Sequence, residues 1–235
     1  KYKPPQIPPK EGLSKLTALT YLNSKIEFVM SEINQDNLKS EVGAQMASPF
    51  GGSRKGAVGI IGGAGYTGGE LIRLLVNHPN VELSFIHSRS NAGEPVYKVH
   101  QDLVGETELK FTDSLTPLGN GGLDVLFLCL GHGESKKFLA ENIIDDRIKV
   151  IDLANDFRLN ASSQIGNRSF VYGLPELNKE QIKSAQNIAN PGCFATTLQL
   201  GLLPLAKAGL LSDVYTTGIT GSTGAGQSLA ATSHF

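Results

Sequence analysis

Two features of this sequence have the chemistry to act on a small molecule: a cysteine behind a tight turn, and glycines spaced to admit phosphate. The cysteine is Cys193, in Ile188-Ala189-Asn190-Pro191-Gly192-Cys193-Phe194-Ala195-Thr196-Thr197. Pro191 and Gly192 make a turn. Thr196 to Ala208 then reads as a helix carrying Leu198, Leu200, Leu202, Leu203 and Leu205, with Pro204 a point where it can kink. Cys193 therefore stands at or near a helix N-terminus, a position that favours the thiolate. A thiolate so placed is a nucleophile for acyl groups; the other reading is a buried structural cysteine. Cys129 is the contrast, since it falls inside the apolar run Leu123 to Leu130 and reads as core.

The glycines are Gly63-Ala64-Gly65-Tyr66-Thr67-Gly68, a G-x-G-x-x-G spacing. The context is the one this spacing requires: a short apolar strand before it, Ala57 to Ile61, and a helix beginning near Thr67 after it. Gly63 would permit the tight turn, Gly65 would let the backbone approach a pyrophosphate, and Gly68 would let helix pack on strand. The first amides of the helix, with Tyr66 and Thr67 among them, would face the phosphates. A merely structural turn is the alternative. Val81 to His87 reads as the next strand. Proteins that bind NAD usually place Asp or Glu at its end. Here the text is His87-Ser88-Arg89-Ser90-Asn91, with no acid. Ser88, Arg89 and Ser90 suit a 2′-phosphate instead, which favours NADP(H) as cofactor; an ordinary solvated arginine is the other reading of Arg89.

A third cluster follows a predicted strand over Val214 to Ile219: Thr220-Gly221-Ser222-Thr223-Gly224-Ala225-Gly226-Gln227-Ser228. Small residues in such a turn can gather amides around an anion. A leaving phosphate at Ser222 and Thr223, or a nicotinamide carboxamide at Gly224, are the candidate occupants; a flexible loop is the alternative. No metal is expected.

The elements that must position these residues alternate. After the first two strands and the helix Glu70 to Asn77 come a strand (Leu123 to Leu130), a helix (Ser135 to Asn142) and a strand (Lys149 to Leu153). Alternation of this kind predicts an α/β fold: a Rossmann-type, doubly wound parallel sheet. The start of an α+β substrate or dimerisation domain is expected after it. The predicted division is an extension over 1–55, a nucleotide-binding domain over 56–192 and the second domain over 193–235. In the extension, Lys1 to Pro9 should be extended, an amphipathic helix is expected over about 13–34, and Gly51-Gly52-Ser53 should be a joint. The helix either docks on something or is a segment without chemistry.

Composition narrows the class. The chain has 235 residues, 40% of them hydrophobic, and a net charge of -1. That is enough apolar material for a core, and the charge gives no general pull toward nucleic acid or acidic membranes. Two cysteines argue against a disulfide scaffold and for a reducing compartment, so a cytoplasmic location is expected. No apolar run is long enough to span a membrane, and the first ten residues lack the apolar stretch of a signal peptide.

Taken in order, these segments resemble the N-acetyl-gamma-glutamyl-phosphate reductases of arginine biosynthesis, in the form found among Bacteroidetes. The matching text is Gly62 to Leu71, Asp152-Leu153-Ala154-Asn155-Asp156-Phe157-Arg158-Leu159, Val171 to Leu177, Asn190 to Thr196, Gly221 to Gly226 and Thr232 to Phe235. The resemblance covers about 57–235. It implies that Cys193 attacks an acyl phosphate, that the thioester is reduced by NADPH to a semialdehyde, and that the full-length family assembles as homo-oligomers. It also implies that Asp156 and Arg158 lie near the active site, where Arg158 either holds a substrate carboxylate bidentately or makes a structural salt bridge. Glu176 falls in another family motif, with a structural hydrogen bond as its plain reading. His132 falls in a turn that reads either as a cofactor contact or as a loop histidine. The family's proton-transfer histidine belongs to a His-x-His segment well past the glycine cluster. The sequence reaches Phe235 without one, and His234 does not match it. The resemblance thus implies a truncated chain, slow or inactive in turnover, with 1–55 as an unrelated extension. Two other readings stay open: an enzyme like aspartate-semialdehyde dehydrogenase, and a non-catalytic NADP-binding or assembly protein.

Overall fold

The computed structural model describes residues 54–119 and 122–225. The expected N-terminal helix, the Gly51 to Ser53 joint, Gly226 to Ser228 and Thr232 to Phe235 lie outside the described residues.

Apolar runs bounded by glycine or turn residues become the strands. β1 (Gly56–Ile61) is buried at every position. β2 (Val81–His87), β4 (Val125–Leu128) and β5 (Lys149–Asp152) flank it in one sheet, with β3 (Phe111–Thr112) at one end. Beyond β5 the sheet continues through β8 (Asn187–Ala189), β7 (Arg168–Tyr172) and β6 (Gln164–Ile165), giving the order β3-β2-β1-β4-β5-β8-β7-β6. All pairings are parallel except the β6–β7 hairpin. This is the doubly wound order with two short strands added at the far side. The helices are α1 (Tyr66–Leu75), α2 (Glu134–Glu141), α3 (Pro175–Ser184) and α4 (Cys193–Lys207). None is long and apolar enough among the described residues to cross a membrane.

Two expectations fail. Val214 to Ile219 is not a strand: the segment has no regular secondary structure, is exposed, and joins no sheet among the described residues. The β4 run is also shorter than its apolar text. It stops at Leu128, because Cys129 makes a last bond to β1 (Cys129 N–H to Ile61 C=O, 2.8 Å) and the chain then turns away.

The core on one side of the sheet gathers Ile61, Leu126, Leu128, Ile144, Ile148 and Val150 around a stacked pair, Phe157 and Phe170, whose rings lie 4.1 Å apart. Asp124 ties the start of β1, accepting from Arg54 at 2.7 and 2.9 Å and from Ala57 N–H at 2.7 Å. Arg168, buried, donates to the Asn187 side chain and to the carbonyls of Ile144, Asp145 and Ile148. Burial pushes its guanidinium below its usual value, with Asp146 and then Asp145 opposing.

Asp152, the last residue of β5, is fully buried. Desolvation raises its carboxyl above the ordinary 3.8. Ser135 on α2 stands nearby and opposes the rise, though outside ordinary hydrogen-bond geometry, and the Ala154 amide donates to Oδ1 at 3.2 Å.

Two predictions arise here. A Cβ at Gly68 would stand 2.6 Å from the Gly62 carbonyl oxygen and 2.7 Å from Gly63 Cα. Since both are backbone, Gly68→Ala should cost about 1–3 kcal/mol. A urea titration should show a lower midpoint at unchanged slope. Gly201→Ala, on α4 with nothing within 4 Å, should raise the midpoint, since alanine gains about 0.5–1 kcal/mol over glycine in a helix. Asp152 gives the second. With its folded value raised, it stabilises fully below the ordinary carboxylate value and loses that stabilisation as pH rises through the folded value. Asp152→Asn should therefore gain on the wild type between pH 4 and pH 7; a difference constant with pH would refute this.

Candidate active site

The register of the parallel strands sets one row across the sheet: Thr112, His87, Ile61, Leu128, Asp152, Ala189 and Tyr172 are neighbours in turn. The segments that leave this row include the glycine loop, the Ser88 turn, the His132 turn, the Asp156 turn and the Cys193 turn. All of the chemistry-bearing text through Cys193 thus emerges at the carboxyl edge of the strands. The sheet order reverses between β1 and β4, which opens a crevice there. The Ser88 turn and the Cys193 turn stand four strand spacings apart, about 19 Å, a span that suits two nucleotides laid end to end.

The glycines divide their work differently from the expectation. The left-handed residue of the turn is Gly62, with φ +80°, and a Cβ there would strike the Cys129 carbonyl oxygen at 2.3 Å. Gly63 is needed for another reason: its Cβ would meet Ile86 Cγ2 at 2.2 Å while its N–H bonds the His87 carbonyl. Gly68 allows α1 to lie on the loop. Gly65 alone of the three spaced glycines has open space, with only the Gly62 carbonyl at 3.5 Å. It caps α1, whose first amides have no partner within the helix. The open space at Gly65 and the exposed Tyr66 and Thr67 are where an incoming anion could meet these amides.

His100 was not anticipated. Its Nε2 lies 2.7 Å from the Gly63 carbonyl oxygen, and its ring covers Gly69, where a Cβ would stand 2.5 Å away. Phe111 meets the ring edge-on. The imidazole donates to the carbonyl and so fixes the rear of the loop.

At the end of β2, Ser88 is buried, and Arg89 and Ser90 are exposed. Arg89 makes no ion pair among the described residues. Asn91 donates to both Ser88 Oγ (3.1 Å) and Ser90 Oγ (3.0 Å). His87, behind them, is held below its usual value, first by burial and then by the charge of Arg89.

The turn after β5 ties three loops together. Asp156 caps α2, accepting from Gly133 N–H (2.6 Å) and Lys136 N–H (3.0 Å). Phe157 is one half of the buried aromatic stack. Arg158 donates from Nε to the Asn190 carbonyl and from Nη2 to the Leu153 carbonyl, both at 2.8 Å. The salt-bridge expectation for Arg158 is not met among the described residues; two of its five N–H donors go to the backbone, and those on Nη1 make no bond among the described residues. Its Nη1 lies 2.9 Å from where a Cβ of Gly192 would be, and its charge reaches Cys193. Burial lowers its guanidinium value, opposed by Asp152, Tyr172, Cys193 and Asp156. His132 is exposed and accepts the Asn155 N–H on Nδ1 (3.2 Å), leaving Nε2 with the proton. Glu176 lies in the first turn of α3.

Cys193 is exposed and is the first residue of α4, three residues earlier than expected. Gly192 caps the helix, with Thr196 N–H on its carbonyl, and Thr197 Oγ1 donates to the Cys193 carbonyl. Tyr172 Oη donates to Gln199 and fastens α4 to β7. A cleft of about 280 Å³ runs beside Cys193, lined by Phe194, Thr197 and Leu198 on α4 and by residues Thr216 to Thr220. The ring of Phe194 lies over Gly218. Thr216 and Thr217 thereby join the site through a contact that only folding creates. Ser222, Thr223 and Gly224 form a 3-10 turn directly after this wall, with Gly224 N–H on the Gly221 carbonyl. Cys129 differs entirely: it is largely buried, and burial, and then Asp152, push its thiol up to about 12. Among the described residues no group of three His, Cys, Asp or Glu could hold a metal ion.

Comparison with known proteins agrees with this architecture. Residues 57–185 match the family model of the semialdehyde dehydrogenase NAD binding domain, and residues 193–235 match that of the semialdehyde dehydrogenase dimerisation domain. The N-acetyl-gamma-glutamyl-phosphate reductase of Christiangramia forsetii is 56% identical over 178 residues, 75% of this chain and 53% of that protein. The reductase of the same name from Flavobacterium johnsoniae is 56% identical over 179 residues, 76% of this chain and 54% of that protein. The chain thus spans about half the length of the curated relatives it matches. A solved aspartate semialdehyde dehydrogenase with NADP from Candida albicans is similar over 68% of this chain and 48% of that one, with a TM-score of 0.47 and 19% identity. With its nucleotide-binding unit matched over more than half of its length, this chain belongs to the semialdehyde dehydrogenase family.

Proposed function

We propose that the protein reduces N-acetyl-gamma-glutamyl phosphate to the corresponding semialdehyde, with Cys193 as nucleophile and NADPH as reductant. The observation that carries this reading is the placement of an exposed Cys193 at the start of α4, beside a cleft and within reach of the Arg158 charge. The curated relatives that bear the reductase name support the substrate. We assign the nucleotide-binding unit to 56–192 and the second unit to the residues from 193 onward. The dimerisation-domain match supports a homo-oligomer, and the two free cysteines fit a cytoplasmic protein.

In this reading the Cys193 sulfur attacks the γ-acyl carbon. A carbon–sulfur bond forms, the acyl C–O bond breaks, and phosphate leaves with the electron pair. We assign the departing anion to the amides of the Ser222 to Gly224 turn, with Thr216, Thr217 and the free Nη1 of Arg158 as further donors. NADPH, when bound, supplies the hydride that reduces the thioester carbonyl. The carbon–sulfur bond of the reduced adduct then breaks with its electron pair on sulfur, releasing the semialdehyde and regenerating the Cys193 thiolate. Gly65, Tyr66 and Thr67 hold the pyrophosphate, Ser88, Arg89 and Ser90 the 2′-phosphate, and the His132 turn and Gly224 the nicotinamide end.

Two experiments test this. The complete gene product that contains these residues should reduce NADP⁺ with N-acetylglutamate semialdehyde, and only when phosphate is present. Cys193→Ser should lower that rate by roughly 10³-fold or more while NADPH affinity stays within about threefold. A full rate in the variant would falsify the assignment, and activity confined to aspartate semialdehyde would replace the substrate. In the second, iodoacetamide at pH 8 should label Cys193 but not Cys129 in the native protein, because burial holds Cys129 protonated. Mass spectrometry should find Cys129 labelled only after unfolding; early labelling of Cys129 would contradict the described packing.

A further inference from the structure

We infer that Asn91 sets the preference for a 2′-phosphorylated cofactor, by turning the hydroxyls of Ser88 and Ser90 into hydrogen-bond donors toward that phosphate. This inference rests on the NADPH reading above. The Asn91 amide nitrogen lies 3.1 Å from Ser88 Oγ and 3.0 Å from Ser90 Oγ, and it can only donate. Each hydroxyl oxygen thus accepts one proton from Asn91 and keeps its own to give elsewhere. The two oxygens stand 3.5 Å apart, at the outer limit of a hydrogen bond, so their protons are not used up on each other.

The scaffold beneath is firm. Ser88 N–H bonds the Thr112 carbonyl at 3.0 Å, Glu94 N–H bonds the Asn91 carbonyl at 3.0 Å, and Gly93 N–H bonds the Phe111 carbonyl at 2.8 Å. Asn91 is therefore held by β3 and its own turn, and the serines are held by Asn91. A phosphate monoester dianion offers acceptors only, which matches two donating hydroxyls and the exposed Arg89 between them. A 2′-hydroxyl must also donate its proton, and proteins that select it place a carboxylate at this strand end. Here one acceptor position on each serine is already taken by Asn91. The arrangement selects phosphate and leaves the plain ribose poorly served.

Asn91→Asp reverses the arrangement. Its carboxylate only accepts, so both serine protons turn inward and a negative charge faces the cofactor. Asn91→Ala frees the serines to rotate. The dissociation constants of NADPH, NADH and adenosine 2′,5′-bisphosphate are measured by fluorescence titration and calorimetry on each preparation of the full protein. Losing one hydrogen bond to a charged group corresponds to about tenfold in affinity. Asn91→Asp should weaken NADPH and the bisphosphate by about tenfold or more, with NADH unchanged within twofold or tighter. Asn91→Ala should fall between. The ratio of the two nicotinamide constants is taken on one sample, so partial unfolding changes the amplitudes and not the ratio. Equal weakening of NADPH and NADH, or an unchanged ratio in a protein that prefers NADPH, overturns the inference alone. A wild type that binds NADH as tightly as NADPH overturns the NADPH reading, and the inference falls with it.

Discussion

Parallel pairing from β2 through β1, β4 and β5 to β8 is the constraint from which the site follows. Strands that run the same way must be joined by crossovers, so each returns to the same starting edge and each finishes at the other. His87, Ile61, Leu128, Asp152 and Ala189 stand side by side for this reason. What the chain does next at each of these positions is where its chemistry is found. Segments far apart in sequence, from Gly62 to Cys193, need no special contacts to be brought together, because the ladder has already aligned their points of departure.

Within that edge, backbone crowding and backbone openness sit side by side. Gly62, Gly63 and Gly68 are pressed against the chain itself, and side chains there would meet Cys129, Ile86 and the loop. Gly65 is pressed against almost nothing. The same contrast separates the two cysteines. Cys129 is enclosed one residue beyond β4, and its thiol is correspondingly reluctant to ionise. Cys193 starts a helix at the surface. In both pairs, residues of one type take opposite parts because one is hemmed in and the other is not.

Much of this was legible in the text. The glycine spacing after a buried strand, the missing acid after His87 and the Pro-Gly turn before Cys193 are local patterns, and local patterns survive folding. What escaped notice depended on distant partners. His100 lies 37 positions from the carbonyl it holds, and no spacing rule connects them. β8 has three residues and β7 carries a buried arginine, so neither presents a period to read. Val214 to Ile219 has the residue types of a strand, but among the described residues it pairs with no other strand, and a strand without a partner has no ladder to join. Arg158 was read as a carboxylate fork or a salt-bridge partner; its two backbone bonds come from chain reversals that the sequence does not announce.

The tripeptide Asp156-Phe157-Arg158 reaches in three directions at once: to the amides that start α2, into the core against Phe170, and to the carbonyl of Asn190 two peptide bonds before Gly192. Its central side chain touches no reactant. If the protein acts as proposed, changes at Phe157 should lose function alongside changes at Cys193. The vulnerable part of such an enzyme is wider than its reacting atoms, and in this fold it extends inward along a single aromatic ring.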